Sequence, residues 1–240
     1  MYISQYDGEH SVIFGDKDSW QDWHLIPVSR PVIVPPEPKT QFVDVPGMDG
    51  GIDLSEILSG HPVFDNRKGT LEFILDPDWK PWSELYSEIA NYLHGRSMHV
   101  VLTDDPSFFY EGRLSIGKFE SARDRTLITI EYVFKPYKRK LIGTLDEWIW
   151  DTFNFNTDVI QTFESIQVNG TIEIMIIGSD MPTSPTFTAT SDMTILFEGK
   201  NYQIKTGTSA PYGLNLSKGE NVLQITGNGT LSIDYRGGSL

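Results

Sequence analysis

Thr126-Leu127-Ile128-Thr129-Ile130-Glu131-Tyr132-Val133-Phe134 is the stretch on which the fold turns. Ile128, Ile130, Tyr132 and Phe134 recur at every second position, and that period of two belongs to a strand with one face in a core. Working outward, residues 11–14, 32–34, 70–75 and 98–102 are short β-prone runs, and residues 110–119 read as a hairpin or a bent strand around Gly112 and Gly117. One segment has a different period. Trp82, Leu85, Tyr86, Ile89 and Leu93 fall at i, i+3, i+4, i+7 and i+11, a single apolar stripe, with Pro81 at its start and Gly95 at its end. The spacing predicts a helix over about 81–94 lying across a sheet.

Beyond a basic junction at Lys135-Pro136-Tyr137-Lys138-Arg139-Lys140 the chain reads as almost purely β. Trp148 and Trp150 alternate within 145–152. Runs at 164–168, 171–177, 186–190, 194–197, 202–204, 212–216, 222–225 and 231–234 are separated by the turn signals Asn169-Gly170, Glu198-Gly199, Lys218-Gly219 and Gly227-Asn228-Gly229. Many short strands at that spacing predict a β-sandwich. The expected fold is therefore mainly β, with an N-terminal split-barrel or sandwich-like domain carrying one helix over 1–140 and a β-sandwich over 141–240.

The 33 acidic and 19 basic residues give a net charge of −14, with 22 against 15 in residues 1–140 and 11 against 4 in residues 141–240. Each half is thus −7, a sign that repels phosphate backbones and argues against sequence-independent nucleic-acid binding. The basic junction reads as a solvated linker rather than a phosphate or import patch. The absence of cysteine rules out disulfides, thiolate catalysis and Cys-bearing zinc sites. No apolar run is long enough to span a bilayer and the first residues lack a signal-peptide pattern, so a soluble protein made in a cytoplasm is expected, with no membrane insertion. The Asn-x-Ser/Thr triplets at Asn169, Asn215 and Asn228 read as turn or loop chemistry rather than glycosylation sites.

A search for chemistry returns no catalytic, cofactor or metal residues. The histidines at 10, 24, 61, 94 and 99 form no His-Glu-x-x-His pattern. Asp76 with Asp78, and Asp104 with Asp105, sit beside prolines where aspartate commonly caps or turns the chain. In place of chemistry there is a constrained loop, Val45-Pro46-Gly47-Met48-Asp49-Gly50-Gly51-Ile52-Asp53-Leu54-Ser55. Pro46 fixes its own φ, and Gly47, Gly50 and Gly51 admit the positive φ that other residues resist. Such a loop, without a nucleophile or base, suggests a part shaped to fit other parts. The Pro35-Pro36-Glu37-Pro38 stretch before it reads as an extended arm reaching a neighbour.

Several motifs in order carry a resemblance: Trp23-His24-Leu25-Ile26-Pro27, Ser29-Arg30-Pro31, Pro35-Pro36, the loop from Val45 to Ser55, Asn66-Arg67, Leu93-His94-Gly95-Arg96, Tyr110-Glu111-Gly112-Arg113 and Lys135-Pro136-Tyr137-Lys138. In the second half they continue as Trp150-Asp151-Thr152-Phe153-Asn154-Phe155, Val168-Asn169-Gly170, Gly219-Glu220-Asn221-Val222-Leu223, Gly227-Asn228-Gly229-Thr230 and Tyr235-Arg236. Together the set resembles the distal tail proteins, the tail-tip or baseplate hub, of long non-contractile-tailed bacteriophages. The resemblance implies a structural virion protein at the tail tip, assembled in the bacterial host cytoplasm. In it the N-terminal domain forms a homo-hexameric ring on the major tail tube protein, and a galectin-like or carbohydrate-module-like sandwich projects outward. The implied partners are the tail-associated fibre or lysin hub and a receptor-binding protein. It brings no catalytic residues and no cofactor. Trp20, Trp23, Pro35 and Pro36 are the candidate assembly-interface residues, with an ordinary core as the equal alternative for the tryptophans. Tyr202, Tyr212 and Tyr235 are candidate sugar contacts should the second domain bind a host cell-wall saccharide.

Overall fold

The computed structural model describes residues 6–76, 79–121, 126–146 and 161–240. The chain divides into two compact units, one reaching to Pro136 and the other running from Tyr137 to Ser239. Both are β-rich, and the described residues include one helix. The expected run around Trp148 and Trp150, the motif at 150–155 and Asp78 lie outside the described residues.

In the first unit β1 (Val12–Phe14), β2 (Lys17–Asp18), β3 (Leu25–Pro27), β4 (Phe42–Asp44), β5 (Gly51–Asp53) and β6 (Arg67–Leu75) precede the helix α1 (Trp82–Leu93). Then come β7 (Ser97–Leu102), β8 (Phe108–Ser121) and β9 (Thr126–Phe134). Seven strands form an antiparallel path in the order β2-β1-β7-β8-β9-β6-β3, and β4 and β5 pair apart from it. The register of β6 on β9 runs from Arg67 opposite Phe134 to Leu75 opposite Thr126. Ile128, Ile130, Tyr132 and Phe134 are buried, as the alternation predicts, and cluster with Leu71, Phe73 and Leu75 of β6, Leu114 of β8 and Leu85, Ile89 and Leu93 of α1. Each such side chain gains about 1.5–3 kcal/mol on leaving water, so this cluster holds the unit together.

β8 is one bent strand rather than a hairpin. Its register slips between Ile116, opposite Ile130, and Phe119, opposite Ile128, which marks a bulge at Gly117. At Gly112 a Cβ would lie 2.1 Å from the Val133 carbonyl oxygen, so only glycine lets β8 close on β9. Helix α1 begins after Pro81 and ends before Gly95 at φ +75°, where the Arg96 N–H donates to the Leu93 carbonyl. Trp82 departs from the expected stripe. As the first helical residue it is 51% exposed, its ring tilted against Phe119 at 5.4 Å, while the buried stripe starts at Leu85. Residues 32–34, expected as a strand, run extended outside any ladder.

The second unit contains β10 (Lys138–Lys140), β11 (Ile166–Gly178), β12 (Thr186–Ala189), β13 (Met193–Phe197), β14 (Lys200–Ile204), β15 (Gly207–Ser209), β16 (Gly219–Asp234) and β17 (Gly238–Ser239). Six form a sheet in the order β14-β13-β16-β12-β15 with β11 on β16, and β10 pairs with β17. The long β16 serves two partners on one side, β13 at residues 224–226 and β12 at residues 231–234, and the sheet curls over Val168, Ile176, Phe187, Ile195, Leu223 and Ile233.

Here two turn signals proved misleading. Asn169-Gly170 and Gly227-Asn228-Gly229 lie opposite one another inside an unbroken ladder, Asn169 facing Asn228 and Gly170 facing Gly227. Gly227 and Gly229 answer to close approach rather than chain reversal, whereas Gly170 sits in open space at φ +82°. A Cβ on Gly227 would lie 2.7 Å from Met193 Cγ, and one on Gly229 would lie 2.7 Å from the hydroxyls of Thr190 and Ser191. Residues 212–216 are likewise a loop, held by one isolated bridge between Leu216 and Thr183, outside the strands of the sheet.

Candidate assembly surface

Between Pro36 and Arg67, both buried, no residue from Glu37 to Asn66 is buried. This segment is an arm. Its base is closed by the bridge from Pro38 to Phe64, with the Lys39 N–H donating to the Val63 carbonyl and the Asp65 N–H to the Glu37 carbonyl. Farther out β4 and β5 pair, Phe42 opposite Asp53, Val43 opposite Ile52 and Asp44 opposite Gly51. The constrained loop forms their turn, and Gly47 and Gly50 take the expected positive φ of +85° and +75°. Gly51 does not.

Opposed residues share a face of a hairpin, so Val43 and Ile52 lie on one side and Phe42, Asp44 and Asp53 on the other. Phe42 is 61% exposed, and on the outer turn Ile57 and Leu58 reach 71% and 99%. Residues 40–66 hold five carboxylates and no lysine or arginine. Hydrogen bonds from the Ser55 hydroxyl and N–H hold the Asp53 carboxyl below its ordinary range. An apolar, acidic hairpin with nothing packed beneath it among the described residues resembles the hydrophobic anchors of a protein interface rather than a stabilising element.

The root of the arm, by contrast, is fixed. The Val34 N–H donates to the Tyr132 hydroxyl at 3.1 Å, and the Val34 carbonyl accepts from Arg67 Nη1 at 3.0 Å. Arg67 Nε donates to the Pro136 carbonyl at 2.7 Å, and the guanidinium lies 5.4 Å from the centre of the Tyr110 ring. Burial lowers the Arg67 pKa and raises that of Tyr132. Gly69 makes room for the clamp, since a Cβ there would lie 2.3 Å from the Tyr132 hydroxyl. Beside the root, a cleft of about 430 Å³ is lined by Val34, Pro35, Lys39, Asp65 and Lys68 among others. A second of about 350 Å³ lies between residues 29–32 and 70–73.

The candidate interface residues divide. Trp23 is 1% exposed in the core of the first unit, its indole N–H donating to Glu88, so the core alternative is the one realised. Its apolar neighbours in β1 and β6, Phe14 and Phe73, share that cluster. Trp20 is half-buried between Tyr6, edge-on at 4.8 Å, and His24, which stacks on exposed Trp79 at 3.8 Å. Pro36 is buried and only Pro35 is exposed. Pro35 and Pro36 therefore lie on the body, and Glu37 and Pro38 begin the segment that leaves it. Ile57, Leu58 and Phe42 were missed by sequence reasoning, although five uncompensated acids flanking isolated apolar residues were a signal in plain view.

The three tyrosines also part. Tyr235 is buried, its hydroxyl accepting from the Ser179 N–H, and cannot offer a ring face to a sugar. Tyr212 is fully exposed, and the half-buried Tyr202 donates to the carbonyl of adjoining Gly213. Asp104 accepts from His10 and Arg30 in a surface cluster. Against the opposing effect of partial burial, these bonds hold its carboxyl below the ordinary range. Asp76 lies 3.4 Å from His24. Among the described residues no three His, Asp or Glu side chains gather as a metal site would require, and no helix is long and apolar enough to cross a membrane.

No protein-family model matches this chain, and no curated protein matches it either. Among solved structures it is similar to the crystal structure of SPP1 Dit (gp 19.1), described as a paradigm of the hub adsorption apparatus in Gram-positive infecting phages. The TM-score is 0.52 at 13% sequence identity, over 96% of this chain and 99% of that one. At that identity the likeness is one of fold, and it spans nearly the full length of both chains.

Proposed function

We propose that this chain is a structural hub protein of a phage tail tip, six copies of which form a ring joining the tail tube to the fibre, lysin or receptor-binding parts of the tip. One observation carries the reading: the fold of SPP1 Dit is matched from end to end, not in a single domain. The arm supports it, because a ring is built from heterologous contacts and an apolar hairpin without a core of its own supplies one half of such a contact. Immunogold labelling of intact particles tests it. Label at the far end of the tail is expected, and label along the shaft or on the head would overturn it.

A second reading, binding of a host saccharide by the second unit, has one observation in its favour. The Tyr212 ring is wholly exposed beside Tyr202, a geometry suited to stacking on a sugar. A glycan array probed with the full chain and with Tyr212→Ala decides it, since a saccharide bound here would be released by the substitution.

A further inference from the structure

We propose that the outer edge of β4 adds as a strand to the open edge of β6 on a second copy of this chain; the proposal rests on the ring reading and names the two surfaces that meet. On the receiving side, β3 covers β6 only from Phe73 to Leu75, and the Val28 N–H extends the cover to the Glu72 carbonyl. Main-chain groups alternate along a strand, so those of Thr70 and Lys68 face the same side as those of Glu72. Among the described residues no strand pairs with them there. Residues 29–32 stand off from this edge and leave the 350 Å³ cleft between, with exposed Val32 in its lining.

On the donating side, the Leu54 N–H bonds to the Gln41 carbonyl, which turns the main chain of Gln41 and Val43 inward toward β5 and that of Phe42 and Asp44 outward. An unpaired outward edge on an exposed hairpin is a template for strand addition. The charges agree. Residues 40–66 of the arm carry only acidic charge, and Lys68, exposed on β6 two residues from Thr70, has no ion pair among the described residues, whereas Arg30 at the cleft is tied to Asp104. Within one chain the arm is clamped at its root through Val34, and among the described residues its main-chain hydrogen bonds close within itself or at its root. Among the described residues nothing pairs with the β6 edge in the cleft, which leaves room there for a strand. A contact between two different patches, repeated from copy to copy, closes into a ring when the rotation allows.

The chain has no cysteine, so a cysteine pair reports only the contact it is placed in. Full-length protein carrying Asp44→Cys and Thr70→Cys, oxidised with diamide, is expected to give a ladder of disulfide-linked oligomers that reducing agent collapses. Asp44→Cys with Thr208→Cys, on the exposed surface of the second unit, is the control and is expected to give none. A second arm uses charge: Asp44→Lys is expected to weaken self-association by about tenfold, and adding Lys68→Glu to restore it. Oligomers in native mass spectrometry without the specific ladder and without charge rescue would overturn this contact and leave the ring reading standing. A chain that stays monomeric and uncrosslinked at every concentration would overturn the contact, whereas misplaced immunogold label strikes the ring reading itself.

Discussion

β9 and β4 both carry large apolar side chains on strands, yet one lies in the middle of a seven-strand path and the other has a single partner. Strand β9 pairs with β8 on one edge and β6 on the other, beneath a helix, and its inward residues are sealed from water. Strand β4 pairs with β5, has nothing beneath it among the described residues, and leaves Phe42 and Val43 exposed. The difference teaches that alternation fixes which side chains share a face but not whether that face is covered. Coverage comes from the count of neighbours, and a strand with one neighbour in the monomer is completed elsewhere or not at all. The body should thus carry the stability of the first unit and the arm its associations.

That division breaks most readily at the core. Phe73→Ala removes a fully buried ring packed edge-on against Phe14 and is expected to cost about 3–5 kcal/mol of unfolding free energy in urea denaturation. A loss below about 1 kcal/mol would mean that the core is not what holds this unit. At the root, where body and arm meet, Tyr132→Phe keeps the buried ring but removes the hydroxyl that accepts from the Val34 N–H. The expected cost is about 1–2 kcal/mol, with faster hydrogen exchange at Val34 than at the β9 amides. Equal exchange in variant and parent would show that the clamp does not hold the arm.

Much of the body was legible because its signals are local and mutually consistent. The 2-residue period of residues 126–134 and the stripe of Leu85, Ile89 and Leu93 each say where a core must lie, and the positive φ at Gly47 and Gly50 follows from the loop's own composition. What failed to show were properties set by distant chain. Gly227 and Gly229 look like a turn in isolation, and only the approach of residues 190–193 reveals them as thin places in a strand. Trp23 and Trp20 are three residues apart with similar neighbours, yet one is core and the other half-exposed, because Glu88 and the β1 and β6 side chains close over the first. Burial of Pro36 beside exposed Pro35 has the same origin. The arm's exposure was legible only through composition: five acids without a lysine or arginine flank its apolar residues, while no local period says whether anything covers them.

Asp104 sharpens the comparison on the body's surface. Its carboxylate ties His10 to Arg30, and the bonds from both depress its pKa despite the opposing effect of burial. A depressed pKa in the folded state contributes stability that is present above the unfolded value of 3.8 and is lost as pH falls through the lower folded value. Asp104→Asn is expected to cost about 0.5–1 kcal/mol at pH 7, and the difference from the parent should shrink below about pH 4. A difference that grew on acidification would remove Asp104 from the account.

The smallest effect on stability belongs to the arm, and it is the one that separates the two regions most cleanly. Leu58→Ser replaces a side chain that is 99% exposed, so it removes no buried contact and leaves no cavity. Denaturation should shift by no more than about 0.5 kcal/mol, the range of ordinary surface changes. A leucine kept in water on a turn gains nothing for its own fold, so any loss it causes must be read in association. Sedimentation velocity on the full chain should show Leu58→Ser dissociating at a concentration where the parent holds together, with the unfolding curves superimposed. If the two proteins sediment alike, the arm's tip meets no other copy, and the interface must be sought nearer β4 and the root. If the unfolding curve moves instead, the arm packs on its own body in solution, and the contrast with β9 is lost.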